Sequence, residues 1–492
     1  MPSSWPEVVF SGDAAAPVLS RAVARGTLRR LATGIYTGAV TDDPADVVRR
    51  NVWRIVGHAL PQAVIVDRSA RRAGPVDGVL TVDHPRRRPL QLPGLAVVPR
   101  RGPGPVAGDM GMPDELWISS TPRALLDNLA PSRGAPGRYT LSYTEVEEWV
   151  DSLIRGRGED GINRIREEAR ELAPVLGRER GFARLEAMIR AALTTGDASV
   201  LQSERLRARA AGEPFDDARI TAFEALASDL ASRAPEIVPA LPQDEPRRRL
   251  LPFYEAYFSN YIEGTEFTLD EAAAIVFEGV TPADRPEDAH DIIGTYEVVG
   301  DAVEMHRVPS SPAEYEDLLR SRHARLMAAR PERRPGAYKD RANRAGGTEF
   351  VAPDLVVGTL RRGFDVGSGL TSPFARAVYL MFVTAEVHPF TDGNGRVARM
   401  MMNAELVAAG EVRIIIPTVY RANYLAALKG ATHTRHYAAL NAMLVFARRF
   451  TAQVDFSTRR TAEADLTRTN ALRDAVEAES AGVHLLLPGS GP

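Results

Sequence analysis

The sequence predicts a mainly α protein, with an all-helical core and a small β-hairpin behind a smaller N-terminal region of α+β character. Three observations carry this. Apolar residues recur at helical spacing through residues 138–235 and again through 249–450. Short alternating runs with Gly and Pro punctuation fill 61–130. Pro- and Gly-rich stretches at 131–137 and at Pro235, Pro239, Pro242 and Pro246 separate these regions. A length of 492 residues agrees with roughly three domains at about 150 residues each.

Residues 1–60 show a helix over Val18–Arg25, a turn at Gly26, a second basic helix over Thr27–Ala32 and a β-like Gly34-Ile35-Tyr36. That is the order of a winged helix-turn-helix, and equally of a solvated basic hairpin. Residues 61–130 form a small sheet-containing unit around Val64-Ile65-Val66, Gly78–Val82 and Leu95–Val98. Arg86-Arg87-Arg88 reads as a solvated loop. Leu193–Gly196 and Ala211–Pro214 break the following helical region into several helices. Residues 451–492 carry a C-terminal helix and, from about 480, a frayed tail.

Composition narrows the chemistry. There is no cysteine, which excludes a disulfide framework, a thiolate zinc site and a cysteine nucleophile. No basic n-region precedes an apolar segment at the N-terminus, and no apolar run approaches the ~18 residues of a membrane span. The expected setting is cytoplasmic, with no membrane partner. Net charge is −3 overall, but residues 1–100 hold fourteen arginines and no lysine against eight acidic residues, a balance of +6. Only Lys339 and Lys429 are lysines, and neither sits in a Walker-A context.

One segment stands apart: His388-Pro389-Phe390-Thr391-Asp392-Gly393-Asn394-Gly395-Arg396-Val397-Ala398-Arg399. Ser372 and Pro373 open a helix ahead of it, and Val397, Met400, Met401 and Ala404 continue a helix after it until Gly410. The loop suits a polyphosphate. Gly393 and Gly395 allow positive φ and an inward-turned nest of N–H groups. The following helix N-terminus adds positive potential, and Arg396 and Arg399 supply forked donors. Asp392 is a hard oxygen ligand suited to Mg²⁺, and His388 is a general base by its ordinary pKa. A dinucleotide fingerprint needs a preceding strand, and here a helix precedes.

This segment resembles the Fic-domain signature H-P-F-x-D-G-N-G-R-x-x-R at all nine specified positions. The resemblance extends over about 250–445 and implies transfer of AMP from ATP to a hydroxyl side chain of a target protein. It implies that His388 deprotonates the hydroxyl, that Asp392 holds Mg²⁺, and that Asn394 with the Gly393 and Gly395 backbone cradles phosphates. Arg396 and Arg399 would contact the phosphates, Arg399 the γ-phosphate. Tyr424 matches a family position near the adenine, while Thr432 replaces the more usual Asn nearby. His433 and His436 read as surface or core residues.

Ser259-Asn260-Tyr261-Ile262-Glu263-Gly264, at the end of an aromatic helical face, resembles the family's inhibitory motif [ST]-x-x-x-E-[GN]. By that resemblance a helix near 252–264 restrains the site, with Glu263 pairing Arg399. Arg344–Pro353 looks like the family's target-docking flap, with Gly346, Gly347, Thr348, Glu349 and Phe350 at its tip. Residues 28–36 and the helices to about 200 are similar to AbiEi-type antitoxins, which carry a winged-helix domain. The leading reading is therefore a self-inhibited protein adenylyltransferase acting on a Ser, Thr or Tyr hydroxyl. Two others stay open: removal of AMP at the same pocket, and a DNA-binding regulator whose Fic domain senses nucleotide. Duplex DNA is the partner expected for the N-terminal region, and the pattern leaves room for a homodimer.

Overall fold

The computed structural model describes residues 5–131, 139–234 and 236–489. Residues 132–137 of the expected separator, Pro235 and the last three residues lie outside them. The chain divides into two compact units, Met1–Gly212 and Glu213–Pro492.

The first unit begins with β1 (Val9–Phe10), α1 (Ala16–Ala24), β2 (Arg29–Ala32), β3 (Ile35–Thr37), α2 (Pro44–Arg50) and α3 (Val52–Ala59). Strands β1, β3 and β2 form a three-stranded antiparallel sheet. The second basic helix expected over Thr27–Ala32 is therefore a strand. Gly34, at φ 77°, closes a hairpin that pairs Arg30 with Tyr36 and Ala32 with Ile35. Leu31 and Ile35 turn inward while Arg29 and Arg30 stay exposed. Over so short a run the two-residue period fits as well as the helical one, and pairing decides.

Then follow β4 (Val64–Ile65), α4 (Asp67–Arg72), β5 (Val79–Asp83), β6 (Leu90–Leu92), β7 (Leu95–Arg100), β8 (Met110–Met112), β9 (Leu116–Ile118) and α5 (Thr121–Asn128). The six strands lie in the order β6-β7-β5-β4-β9-β8. Fully buried Arg123 on α5 donates to Asp83 at 2.7 Å and to Asp109. Helices α6 (Tyr143–Leu176), α7 (Glu179–Ala192) and α8 (Glu204–Ala210) close a core with α5 around Leu125, Val150, Ile162 and Ile189.

The second unit starts with α9 (Asp217–Ala231), which packs on later helices of this unit rather than with the preceding helical region, where the sequence reading grouped it. Then come α10 (Glu245–Ile262), α11 (Leu269–Glu278), α12 (Pro286–Gly300), α13 (Ala302–Met305) and α14 (Pro312–Leu326). Pro246, read as linker, lies in the first turn of α10, where its missing N–H costs nothing, and Asp244 caps that helix. The hairpin strands β10 (Arg344–Ala345) and β11 (Thr348–Glu349) precede α15 (Val356–Gly367), α16 (Pro373–Val387) and α17 (Asn394–Ala408). Helices α16 and α17 pack along each other at the centre of the unit, and α9 covers α15 and α16.

Helices α18 (Arg421–Thr434), α19 (Tyr437–Gln453), α20 (Arg459–Arg468) and α21 (Ala475–Ser480) complete the chain. Among the described residues the tail is not frayed from 480 onward. Leu485 is buried in the same apolar cluster as Phe253, Tyr254 and Phe258 of α10, and the Leu486 N–H donates to the Thr469 carbonyl at 3.1 Å. No helix among the described residues is long and apolar enough to cross a membrane.

Candidate active site

The site is the turn from α16 to α17. The Ser372 hydroxyl caps α16 at the Ala375 N–H, and thirteen apolar or buried positions bring the helix to Val387. His388 ends it in the left-handed region at φ 51°. The loop then closes on itself: Asn394 Oδ1 accepts from the Phe390 N–H at 2.8 Å and its Nδ2 donates to the Phe390 carbonyl at 2.9 Å. Gly393, at φ 74°, provides the entry into α17, and a Cβ there would strike Met327 Cε at 2.5 Å. Gly395, expected to share positive φ, is helical instead. Its lack of a side chain serves space, because a Cβ would collide with the Glu263 carboxylate.

His388 is largely enclosed. Its Nδ1 faces the Ala385 carbonyl at 3.3 Å, an acceptor only, so Nδ1 carries the proton and Nε2 presents its lone pair. The ring stacks on Phe350 with centroids 3.8 Å apart and planes at 7°. Burial above all pulls the imidazole down to about 4, with the Lys339 ammonium adding to it, against the opposing hydrogen bond to the Ala385 carbonyl and the weaker pull of Glu263 and Asp392. At neutral pH it is an uncharged base.

The charged groups of the loop are already engaged. Arg396, buried, donates to Asp291 of α12 at 2.6 Å and to Asn260 at 3.3 Å. Asp392 Oδ1 accepts the Gly393 N–H at 2.6 Å and lies 3.5 Å from Arg396, its Oδ2 lies 3.6 Å from Arg333, and its side chain is 36% exposed. Among the described residues no group of three or more His, Asp or Glu side chains is arranged to hold a metal ion. Arg399 is held by α10: Nε donates to Ser259 Oγ at 3.0 Å, and Nη2 to the Ser259 carbonyl at 2.8 Å and Glu263 Oε1 at 2.7 Å. Burial is the largest single influence and lowers the Arg399 pKa, but Glu263 and Tyr424 together outweigh it and leave the guanidinium above its ordinary value.

The β10–β11 hairpin lies over His388. Gly346 takes φ 58° at the turn, and Ala345 pairs with Thr348. The Phe350 N–H donates to the Asn343 carbonyl at 3.2 Å, so by alternation the Glu349 backbone points to the open edge. Its carbonyl there accepts from Arg219 at 2.6 Å.

Residues 313–406, which include this turn, match the model of the Fic/DOC family. The chain carries a Fic domain. Among curated proteins, the protein adenylyltransferase fic-1 of Caenorhabditis elegans is 28% identical over 185 residues, 36% of this chain and 36% of that protein. The protein adenylyltransferase Fic of Drosophila persimilis is 27% identical over 183 residues, 36% of this chain and 35% of its own length. The chain therefore spans little more than a third of these relatives. A solved fragment of Fic-1 from C. elegans is 21% identical, with 66% of this chain and 98% of that chain covered, at a TM-score of 0.36.

The structure brings His388, Asp392, Arg396, Arg399 and Phe350 of the matched stretch into one neighbourhood with Ser259 and Glu263 of α10, which lie ahead of it. Gly264 follows Glu263 at φ 96°, ending α10 so that the carboxylate turns toward the loop. Tyr424 is buried, with the Arg399 guanidinium 5.9 Å from its ring centroid. Thr432 bonds Glu386. His433, read as a surface or core residue, shares a 2.9 Å hydrogen bond with Thr348 of the flap. Asp291, Lys339, Asn343 and Arg219 escaped the sequence reading. The rarity of lysine, two in the whole chain, was the one available signal, and it points to Lys339 without showing what it touches.

Proposed function

We propose that this protein transfers AMP from ATP to a hydroxyl side chain of a target protein, at a site restrained by its own Glu263. ATP phosphates lie over the N-terminus of α17, on the Gly393–Gly395 backbone, with Arg399 at the γ-phosphate. Asp392 would hold Mg²⁺, which neutralises phosphate charge when bound. His388 Nε2 takes the proton of the target hydroxyl. The hydroxyl oxygen bonds the α-phosphorus, and the bond to pyrophosphate breaks. The flap offers its open β11 edge to the target main chain.

Most support comes from one observation: the only neutral, enclosed histidine of the loop stands beside a helix N-terminus whose second arginine is occupied by a carboxylate. That carboxylate sits where a triphosphate would need Arg399. A cytoplasmic setting, a DNA partner for the basic N-terminal region and dimer formation belong to the same proposal, resting on sequence pattern alone. The test is incubation of the Glu263→Gly variant with labelled ATP and lysate. A labelled protein band that requires His388 supports the reading, and absence of any labelled band, including the variant itself, contradicts it.

A further inference from the structure

The segment at the base of the flap reaches the catalytic loop at three points within four residues. Lys339 Nζ donates to the Val387 carbonyl at 3.2 Å, the Lys339 N–H donates to the Pro389 carbonyl at 2.9 Å, and Asn343 Nδ2 donates to the Phe390 carbonyl at 3.0 Å. Lys339 Nζ also donates to Asn343 Oδ1 at 2.7 Å, which joins the three pins into one unit. They bracket His388, whose backbone is left-handed although it has a side chain, a conformation that persists only when its surroundings impose it.

We infer that Lys339 is a positioning residue for the transfer step, clamping the catalytic loop so that His388 keeps its strained backbone and its ring direction. The inference rests on the AMP-transfer reading. The residue's setting makes simple structural filling a poor explanation. Lys339 is 4% exposed, and among the described residues no carboxylate pairs with its ammonium. A buried cation without a counter-charge is costly, and an apolar side chain would fill the space at lower cost. Burial, with Arg219 of α9 adding to it, brings its pKa down to about 7. The groups facing it are the Asn343 amide, the Phe350 ring at 6.0 Å, the Val387 carbonyl and the Arg219 guanidinium. Every near contact that accepts from it leads to His388 or to the flap above it.

The test compares Lys339→Met, Lys339→Arg and Asn343→Ala, each in the Glu263→Gly background, by auto-AMPylation at saturating ATP. Lys339→Met should lower kcat about ten- to a hundredfold, as small misplacements of a reacting group do, while the KM for ATP stays within about twofold. Asn343→Ala should lower kcat with it, and Lys339→Arg, which keeps a donor on Val387, should retain most of the rate. Hydrogen exchange across residues 386–394 reads the clamp without activity and should quicken in Lys339→Met. An unchanged kcat, equal losses in kcat and ATP affinity, or unchanged exchange in that segment each overturn the inference. Loss of transfer in the Glu263→Gly parent would instead count against AMP transfer itself, and the exchange result would still decide the clamp.

Discussion

Replacing Glu263 by glycine removes one of the three bonds that hold Arg399, leaving those to Ser259 Oγ at 3.0 Å and to the Ser259 carbonyl at 2.8 Å. The arginine is therefore not orphaned. The Glu263 side chain is 33% exposed while that of Arg399 is 6% exposed. The pair thus lies between a surface ion pair, worth about 1 kcal/mol or less, and a buried one, whose disruption costs about 3–5 kcal/mol. A value of about 2 kcal/mol is the reasonable middle, and at about 1.4 kcal/mol per tenfold it corresponds to roughly thirtyfold. Glu263→Gly should then auto-AMPylate about ten- to a hundredfold faster than wild type at saturating ATP. Without nucleotide it should melt a few degrees lower, and ATP·Mg²⁺ should restore more stability to it than to wild type. Equal transfer rates would refute the reasoning, leaving Ser259–Gly264 as a core helix and nothing more.

Other predictions follow from the same geometry. His388→Ala should cut transfer about 10²–10⁴-fold while ATP binding persists, since the phosphates rest on α17 and the arginines; transfer at an unchanged rate contradicts the base assignment. The imidazole of His323, fully buried and stacked on Phe390, is also pulled down to about 4, chiefly by burial. Its folded pKa lies below the unfolded value of about 6.5, so its stabilisation is present above that pH and falls away toward pH 4, by about 2 kcal/mol at pH 5. Urea unfolding of wild type and His323→Gln at pH 7.5 and 5 should differ in pH slope, and identical slopes would be the contrary result. The full chain should shift duplex DNA at ~50 mM salt and lose it as salt rises, with Arg29→Ala/Arg30→Ala weaker; no shift at low salt removes the DNA partner.

The catalytic loop was legible because its chemistry is contiguous: His388, Asp392, Arg396 and Arg399 fall within one turn and its following helix. Ser259 and Glu263 were legible as a pattern on one helix face, and the Gly346-Gly347 turn announced the hairpin. What stayed hidden depends on residues distant in the chain. Asp291 meets Arg396, and Lys339 meets Val387, only after helices pack, and neither spacing carries a local signal. The strand at Arg29–Ala32 was missed because the six residues Thr27–Ala32 satisfy two periods at once and the Gly34 hairpin decides between them. The C-terminal segment read as frayed because its Pro and Gly content masks Leu485, whose burial is set by α10.

The central claim is tested most directly by following which phosphate of ATP reaches protein. Glu263→Gly incubated in parallel with α-labelled and γ-labelled ATP and Mg²⁺ should take up the α label only, and the double variant with His388→Ala should take up neither. Uptake of the γ label, or α labelling that survives loss of His388, would contradict the account.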